Sequence, residues 1–401
     1  MGFLSVSAAA RVSRTGSRLA AMPRIRILFM IDYLVDSGGA ERFALGLATS
    51  LPRDRFELWM CSTRSVEPET AAALAQAGIK QLHLGRWSRW DEHRFAKLVA
   101  LVRRERFDII HSHMFGSNVW GSLIGRLCGV PVIIAHEHTW SYVGHPLRKL
   151  IDGHLIGRLA TRFVAVSSFD AERMVSIEGV PVEKVVTIPP GYVQRPRSPD
   201  SDLRGELGID SSTPLIAVVA ELRPQKALSV LLEAFALVVE LVSDAHLVIA
   251  GDGECLSELR EQAVALGRQD RVHFLGRRND VDSILGASDV AAMSSDYEGT
   301  PLVAYECIAN HIPLVATAVG GLPDIIDDGR TGVLVPPRDP RALANALVGL
   351  LLDPGRRDRM ADAAAERLDE FTIDAVARRF AALYTMLLAE AAVRSGVPVS
   401  A

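Results

Sequence analysis

From residue 24 onward, the chain alternates short apolar runs with longer segments of helical periodicity. The apolar runs have the length and the content of β-branched residues typical of buried strands. In the first half, strands are predicted at Arg24–Ile31, Phe56–Cys61, Ile109–His113, Val132–Ala135 and Phe163–Val166, and a helix is predicted at Arg42–Leu51. Strands that alternate with helices indicate parallel β/α units. We therefore predict an α/β fold with a parallel sheet.

A stretch rich in proline, serine and arginine at residues 189–199 interrupts this pattern, which then starts again. The second series has predicted strands at Leu215–Ala220, His246–Ala250, Val272–Phe274, Asp289–Ser295 and Leu314–Thr317, and predicted helices at Ala227–Leu241, Leu256–Ala265 and Val281–Gly286. A last amphipathic helix is predicted at about Ile373–Val393. The second series therefore predicts another doubly wound sheet.

The breaks in the pattern divide the chain into five parts. We predict a leader or disordered segment at 1–23, a first domain at 24–190, a linker at 191–200, a second domain at 201–372 and a C-terminal helix at 373–401. Two domains also agree with the length, because 401 residues at 49% hydrophobic content exceed what one core usually serves. Residues 1–23 contain arginines, serines and alanines but no acid, as transit-like leaders do, and Met22 is an alternative start.

Charge differs between the two halves of the chain. Residues 1–195 contain 25 Lys and Arg and 17 Asp and Glu, a net charge of +8. Residues 196–401 contain 19 Lys and Arg and 31 Asp and Glu, a net charge of −12. The basic half suits an anionic acceptor or a membrane surface, whereas the overall charge of −4 disfavours nucleic acid. Four widely spaced cysteines and the absence of an apolar run near ~18 residues predict a reduced, cytoplasmic protein without a membrane span.

The most informative stretch is residues 298–306, EGTPLVAYE, which follows a predicted strand. Pro301 suits a first helical position and Thr300 a cap before it, so Glu298 and Glu306 bracket the start of a helix. Open α/β sheets bind ligands at this end of their strands. Two carboxylates so separated can hold different ends of one long ligand, such as a sugar nucleotide. A capped surface helix with unrelated acids is the alternative.

Glycine-rich turns after successive strands of the second half could present backbone N–H groups to phosphate. They lie at Gly251–Gly253, at Gly276 and at Val319–Gly321. Ordinary β/α turns also use glycine, so both interpretations stay open. Arg223 and Lys226 follow another strand and could neutralise a diphosphate, or they could be solvated loop charges.

Taken together, these motifs resemble those of the family 4 glycosyltransferases of the GT-B type. The matching residues are Gly38–Glu41, His138–Thr139, Ala165–Ser167, Lys184, Ile188–Gly191, Lys226, Gly251–Gly253, Phe274–Gly276, the pair Glu298 and Glu306, and Val319–Pro323. The resemblance implies two facing Rossmann-like domains, with the donor held mainly by the second and the acceptor by the first. It also implies a final helix that crosses back to the first domain.

The resemblance further implies roles for individual residues. Glu306 would bind the ribose hydroxyls, Glu298 the hydroxyls of the transferred sugar, and Lys226 the diphosphate, while His138 would lie near the reacting sugar. The catalytic residues would thus be His138, Lys226 and Glu298. The donor-binding residues would be Gly38, Gly39, Arg223, Lys226, Gly251, Gly276, Arg277, Glu298, Gly299, Thr300, Pro301, Leu302 and Glu306.

Two positions depart from the family pattern. Where the family usually has Gly-Arg ahead of the lysine, this chain has Ala220 and Glu221, and an acid beside a diphosphate would repel it. Arg223, two residues on, is the candidate replacement for the missing guanidinium. Pro190 stands where the family usually has asparagine before the linker glycine.

Several histidines could suggest a metal site. His111, His113, His136 and His138, with Glu137, lie at the ends of neighbouring predicted strands, but their spacing matches no established metal signature. We favour structural or substrate-contacting roles for them. The sequence Asp280-Val-Asp282 lies at a predicted helix start, where capping explains it. We expect no metal and no cofactor.

Aromatic and basic residues are mixed at Arg86–Trp90 in the first half. A peripheral contact with an anionic membrane and a solvated face with partly buried tryptophans are both open. A membrane contact would bring the protein to the inner face of the membrane and would suit a lipid-linked acceptor.

The resemblance implies a retaining hexosyltransferase that needs no metal. It would move a sugar from a nucleotide-diphosphate donor to a hydroxyl of a glycan, lipid-linked or small-molecule acceptor, as in polysaccharide biosynthesis. A GT-B-like sugar-nucleotide epimerase and a non-catalytic sugar-nucleotide-binding module are the alternatives. The nucleobase, the sugar, the acceptor and the linkage are not readable from the sequence.

Overall fold

The computed structural model describes residues 24–35, 38–88, 91–138, 146–193 and 202–395. In these residues the first sheet has parallel strands in the order β3-β2-β1-β4-β5-β6-β7. The strands are β1 Ile25–Ile31, β2 Phe56–Ser62, β3 Lys80–His83, β4 Ile109–His113, β5 Val132–His136, β6 Arg162–Ala165 and β7 Val185–Thr187. The order reverses between β1 and β4, which pair in the register Ile27 with Ile109. Such a switch point opens a crevice at the carboxyl ends of the strands.

Helices cover both faces of this sheet, as its apolar strands require. They are α1 Gly39–Ser50, α2 Pro68–Gln76, α3 Phe95–Glu105, α4 Phe115–Leu127, α5 Pro146–Ile151, α6 Gly157–Leu159 and α7 Ser168–Ser176. Residues Asp152–Ile156, between α5 and α6, form a π-helical turn. The central strands β1, β4 and β5 are almost entirely buried, so they form the core of this half.

The second sheet is also parallel, with the order β10-β9-β8-β11-β12-β13. Its strands are β8 Leu215–Val219, β9 His246–Ala250, β10 Val272–Gly276, β11 Val290–Met293, β12 Leu314–Thr317 and β13 Val333–Val335. Its helices are α8 Leu203–Leu207, α9 Leu228–Leu241, α10 Leu256–Ala265, α11 Val281–Gly286, α12 Leu302–Ala309, α13 Leu322–Ile325, α14 Pro340–Leu351, α15 Pro354–Ala365 and α16 Leu368–Phe371. The switch point between β8 and β11 mirrors that of the first sheet.

The last helix, α17 Ile373–Ser395, leaves the second sheet and packs on the first. Its Phe380 and Tyr384 belong to the same buried cluster as Phe43 of α1. At the crossing, the Tyr192 N–H donates to the Phe371 carbonyl at 2.6 Å, and the Ile373 N–H donates to the Tyr192 carbonyl at 2.9 Å. The predicted α/β class, with two doubly wound sheets and a helix that crosses back, is confirmed.

Most predicted elements agree with the structure to within a residue or two. The edge strands β3, β7 and β13, of three or four residues each, were not predicted because such short runs carry little periodicity. The proposed leader at 1–23 and most of the proposed linker lie outside the described residues. The exact domain boundaries stay a prediction.

Candidate active site

The carboxyl ends of the two sheets enclose a cavity of about 370 Å³ that is lined by both halves of the chain. Ten predicted site residues line it, namely Gly39, His138, Arg223, Lys226, Glu298, Gly299, Thr300, Pro301, Leu302 and Glu306. A second cavity of about 560 Å³ adjoins it and is lined by Gly251 and Arg277. Ala220 and Glu221 line both cavities, so the two cavities form one continuous cleft. Gly38 and Gly276 do not line either cavity.

Glu298 lies in the loop after β11, and only 7% of the residue is exposed. Its Oε1 accepts a hydrogen bond from the Lys226 ammonium at 2.5 Å and another from the Ser295 hydroxyl at 2.6 Å. Gln225 approaches the other carboxylate oxygen at 3.5 Å. These donors fix the carboxylate before any ligand enters. Sequence reasoning missed Ser295 and Gln225, although both are close to predicted residues along the chain.

Glu306 lies on α12 and is 2% exposed. Its Oε1 accepts a hydrogen bond from Nη2 of Arg42, at 3.1 Å, in the first turn of α1. The ion pair therefore spans the two halves of the chain. Arg42 was also missed by sequence reasoning, although it directly follows the matched motif Gly38–Glu41.

The start of α12 differs from the predicted cap. The helix begins at Leu302 with Pro301 as N-cap, and no side chain caps it. The Thr300 hydroxyl instead donates to the carbonyl of Val166 at 2.6 Å and so links the second half to the first. Leu302 and Val303, the first two residues of α12, line the cavity, and the Ala304 N–H donates to the Pro301 carbonyl at 3.1 Å. This leaves a helix N-terminus that favours an anion.

Glycines permit close backbone approaches around this loop. A Cβ on Gly299 would clash with the carbonyl oxygen of His138 in the other half. Gly320 has a positive φ of 55°, and a Cβ there would clash with the carbonyl oxygen of Glu298. A Cβ on Gly251 would clash with the carbonyl oxygen of Ala220, so packing between neighbouring loops already requires that glycine.

Comparison with known proteins identifies the family. The model for glycosyltransferase family 4 matches residues 37–193, and the model for glycosyl transferases group 1 matches residues 200–367. A D-inositol 3-phosphate glycosyltransferase of Corynebacterium diphtheriae is 31% identical over 302 residues, which is 70% of each chain. The chain belongs to the family 4 glycosyltransferases.

Other relatives and solved structures agree with this assignment. The UDP-Gal:α-D-GlcNAc-diphosphoundecaprenol α-1,3-galactosyltransferase of Escherichia coli is 28% identical over 77% of this glycosyltransferase and 84% of its own length. The Anabaena protein HepE, crystallised in complex with UDP-glucose, has a TM-score of 0.77 at 22% identity and covers 90% of this chain and 100% of its own. At that identity the likeness to HepE shows the fold, which is GT-B.

In this glycosyltransferase Glu221, which departs from the family pattern, and Arg223, its candidate replacement, are neighbours in space. Nη2 of Arg223 lies 2.6 Å from Oε1 of Glu221, and each side chain is more than half exposed. Arg223 thus neutralises the acid that the sequence places unexpectedly in the cleft. Because both groups are solvated, the pair holds together weakly and can separate when an anion binds.

The four histidines form a buried network on the face of the first sheet that α17 covers. His111 is hydrogen-bonded to Tyr384 at 2.7 Å and lies 3.3 Å from His136, while His113 lies 2.9 Å from His138. Ring nitrogens of His111, His113 and His136 approach within 4.8 Å of one another. The three rings pack against Phe43 and Phe380, so they belong to the aromatic core under α17.

Burial keeps these imidazoles neutral. It lowers the pKa of His138 to about 3, and it lowers the pKa values of His111, His113 and His136 well below the usual range. His138 lines the cavity, so it faces a ligand as a neutral donor or acceptor. Asp280, at the start of α11, pairs with Arg278 at 2.6 Å and makes no side-chain cap, contrary to prediction.

A second buried polar group adjoins His138 along the chain. Glu137 is 7% exposed, and its Oε1 accepts a hydrogen bond from Arg148 at 3.1 Å. Burial raises the pKa of Glu137 to about 7, an effect that the Arg148 charge opposes and the Asp152 charge reinforces. Glu137 therefore gains or loses a proton near neutral pH.

The predicted aromatic and basic stretch is only partly described. Trp87 is 84% exposed, and the Arg86 guanidinium lies over the Phe95 ring at 4.5 Å. Arg89 and Trp90 lie outside the described residues. No helix in the described ranges is long and apolar enough to span a membrane.

Proposed function

We propose that this glycosyltransferase moves a hexose-type sugar from a nucleoside-diphosphate donor to a hydroxyl acceptor, with retention at the anomeric carbon and without an obligatory metal. The observation that carries the proposal is that Glu298 and Glu306 line one cleft, on either side of the α12 N-terminus. A donor laid across that N-terminus would reach one acid with its sugar and the other with its ribose. The E. coli galactosyltransferase, whose name gives UDP-galactose as donor, supports this donor class.

Charge in the cleft supports a metal-independent mechanism. Lys226, Arg223 and the N-terminal end of α12 all contribute positive potential to the same cavity. These groups would stabilise the diphosphate as the bond to the sugar breaks, which is the work a divalent cation does in metal-dependent transferases. Glu221 offsets part of this potential, because it pairs with Arg223.

The remaining predicted residues receive roles that follow from their positions. His138 would contact the reacting sugar from the acceptor side as a neutral imidazole, and Gly39 would let α1 approach the donor. Gly251 and Arg277 line the adjoining cavity and would contact the far end of the nucleotide. Gly38 and Gly276 would shape the loops behind these residues.

Retention is supported by membership of family 4. In the structure Glu298 is engaged with both Lys226 and Ser295, an arrangement that suits binding of sugar hydroxyls rather than covalent attack on the anomeric carbon. Leaving-group stabilisation would therefore supply most of the catalysis. Closure of the two halves would exclude water and limit hydrolysis of the donor.

The acceptor would bind to the first half of the chain, which carries the net positive charge. The E. coli relative acts on a diphosphoundecaprenol-linked sugar, and the Corynebacterium relative is named for an inositol phosphate. Both names support an acceptor that carries an anionic group beside its hydroxyl. A lipid-linked acceptor would place the enzyme in the cytoplasm at the inner face of the membrane.

A thermal-shift screen of nucleotide sugars, followed by incubation of the best ligand with and without a panel of acceptors, tests the proposal. We expect a new glycoside to form only when acceptor is present. NMR of the product should show the anomeric configuration of the donor, and chelation with EDTA should leave the rate unchanged. Conversion of the donor to an isomer without acceptor would indicate an epimerase, and binding without any turnover would indicate a binding module.

A further inference from the structure

Arg42 belongs to the first half of the chain, yet its guanidinium lies in the predicted donor site of the second half. The first turn of α1 carries it into the cleft, where Nη2 lies 3.1 Å from Oε1 of Glu306. The arginine side chain is 14% exposed and the glutamate side chain 2%. A hydrogen bond between two charged groups in such a poorly solvated place is strong and directional.

The Arg42–Glu306 pair is one of several contacts that hold the two halves close together. Gly39 of α1 lies beside Leu302 of α12, where a Cβ on the glycine would be in ordinary van der Waals contact with the leucine methyl carbon, at 3.9 Å. The Thr300 hydroxyl bonds to the Val166 carbonyl near the same cleft. If the halves moved apart, Arg42 would withdraw and its ion pair with the buried carboxylate of Glu306 would break.

The pairing also constrains the orientation of the carboxylate. Arg42 donates from Nη2 to one oxygen of Glu306, Oε1, and this charge-assisted hydrogen bond between buried groups restricts rotation of the carboxylate. The hydroxyls of a ribose need a carboxylate held in one plane, because each hydroxyl must donate along a lone-pair direction. A misdirected acid would bind the nucleotide but would no longer recognise its hydroxyls.

We propose that Arg42 is a positioning residue of the donor site, which orients Glu306 for the ribose hydroxyls and does so only in the closed enzyme. The inference rests on the proposed function, since it needs Glu306 to bind ribose. It adds that the acceptor-binding half of the chain takes part in recognition of the nucleotide. Recognition of the ribose would therefore require closure of the two halves.

Calorimetric titration with nucleoside diphosphates tests this inference. UDP, GDP and ADP are titrated first, and the tightest ligand is then compared with its 2′-deoxy and 3′-deoxy forms, in the wild type and in Arg42→Ala. We expect the wild type to prefer the ribonucleotide by about tenfold or more over at least one deoxy form, the value of one hydrogen bond to a charged group. Arg42→Ala should lose most of that preference, while its affinity for the deoxy form changes little.

Two further variants separate positioning from general weakening. Asp324 accepts a hydrogen bond from the Ser168 N–H of the other half at 2.7 Å, and neither residue lines the cavity. Asp324→Asn alters this contact between the halves and should keep the preference for ribose. Arg42→Lys keeps the charge without the planar fork and should recover part of the preference. If Arg42→Ala does not fold, as judged by circular dichroism, Arg42→Gln serves in its place.

The outcomes distinguish this inference from the proposed function. An unchanged ratio of ribo to deoxy affinity in Arg42→Ala would overturn the inference and leave the proposed donor class intact. Equal binding of both forms by the wild type would overturn the ribose role of Glu306 and the inference with it. Failure of the wild type to bind any nucleoside diphosphate would instead overturn the proposed function itself.

Discussion

Lys226 lies 2.5 Å from Glu298, and Arg42 lies 3.1 Å from Glu306, so both acids of the motif have a cation before a ligand enters. An unpaired carboxylate at such low exposure would be costly. The pairs also keep each acid in one orientation, which lowers the reorganisation needed when a donor binds. At the scale of single residues, the site is preorganised by charge.

Lys226→Ala should lower the rate of sugar transfer by far more than tenfold. The ammonium would stabilise the departing diphosphate, and one such contact can supply about 3 kcal/mol in the transition state. Steady-state kinetics with a saturating donor measures the effect. Lys97→Ala, which changes an exposed lysine on α3, is the control and should retain the wild-type rate. A near wild-type rate in Lys226→Ala would refute the role in leaving-group stabilisation.

Glu137→Gln should change how stability depends on pH. Because burial raises the pKa of Glu137 to about 7, the folded protein binds this proton more tightly than the unfolded chain does. Stability should therefore fall as pH rises from about 4.5 to about 7, by up to about 3 kcal/mol from this group. Glu137→Gln removes the contribution of this group to the dependence of stability on pH.

Denaturant unfolding at about pH 5 and about pH 7.5 measures this difference. Glu92→Gln, at an exposed glutamate, should keep the wild-type slope and serves as the control. A Glu137→Gln protein whose stability falls as steeply as the wild type between these pH values would show that Glu137 titrates in its ordinary range.

Two helices determine the site at the scale of secondary-structure elements. α12 presents its N-terminus to the cleft, and its position is fixed by the close approach of Gly299 to His138 and by the Thr300 contact with Val166. α17 covers the face of the first sheet from which the histidines project, and it closes that core with aromatic side chains. Neither contact is local in sequence, so each depends on how the two halves meet.

Tyr384→Phe should destabilise the protein by about 1 to 3 kcal/mol. The change removes the hydroxyl that lies 2.7 Å from Nδ1 of His111, and both groups are buried, so this hydrogen bond of the imidazole is lost. Thermal or chemical unfolding reports the loss. Tyr33→Phe, at a tyrosine that is 38% exposed, is the matched control and should be nearly neutral. Equal stability of the two variants would mean that the Tyr384 hydroxyl contributes nothing to the packing of α17.

At the scale of the whole molecule, two sheets of similar construction face each other with their carboxyl ends. The chain crosses between the halves twice, at Tyr192 and at Thr372, and the two crossing segments are paired as a short parallel bridge. A Cβ on Gly191 would lie 2.6 Å from Cα of Ile373, so the crossing is tightly packed. Motion between the halves would therefore pivot at this bridge.

Replacing Trp87 and Trp90 with alanine should reduce binding to anionic liposomes several-fold if the first half contacts a membrane. Trp87 is 84% exposed within a half that carries net positive charge, and indole rings favour the interface between water and lipid. Cosedimentation with vesicles that contain phosphatidylserine measures the effect. Leu241→Ala, at an exposed apolar residue of the second half, is the control. Equal cosedimentation of both variants would argue for a solvated face.

The sequence by itself determined the alternation of strands and helices and the order of the glycine, lysine and glutamate motifs along the chain. These features are local, because side-chain periodicity and the conformations of glycine and proline act over a few residues. Helix α10 and strand β9 therefore follow from the sequence to the residue, and the motifs alone single out Glu298, Glu306 and Lys226.

Only the tertiary structure decided which residues complete the site. Arg42 and Glu306 are 264 positions apart, and nothing in the neighbourhood of either one reveals the other. His111 and Tyr384 are likewise far apart in sequence and meet only in the fold. The Thr300 hydroxyl, which the local sequence predicts as a helix cap, instead donates to a carbonyl of the other half. Long-range partners follow from the way two folded surfaces meet, and that depends on the packing of many side chains at once rather than on any local pattern.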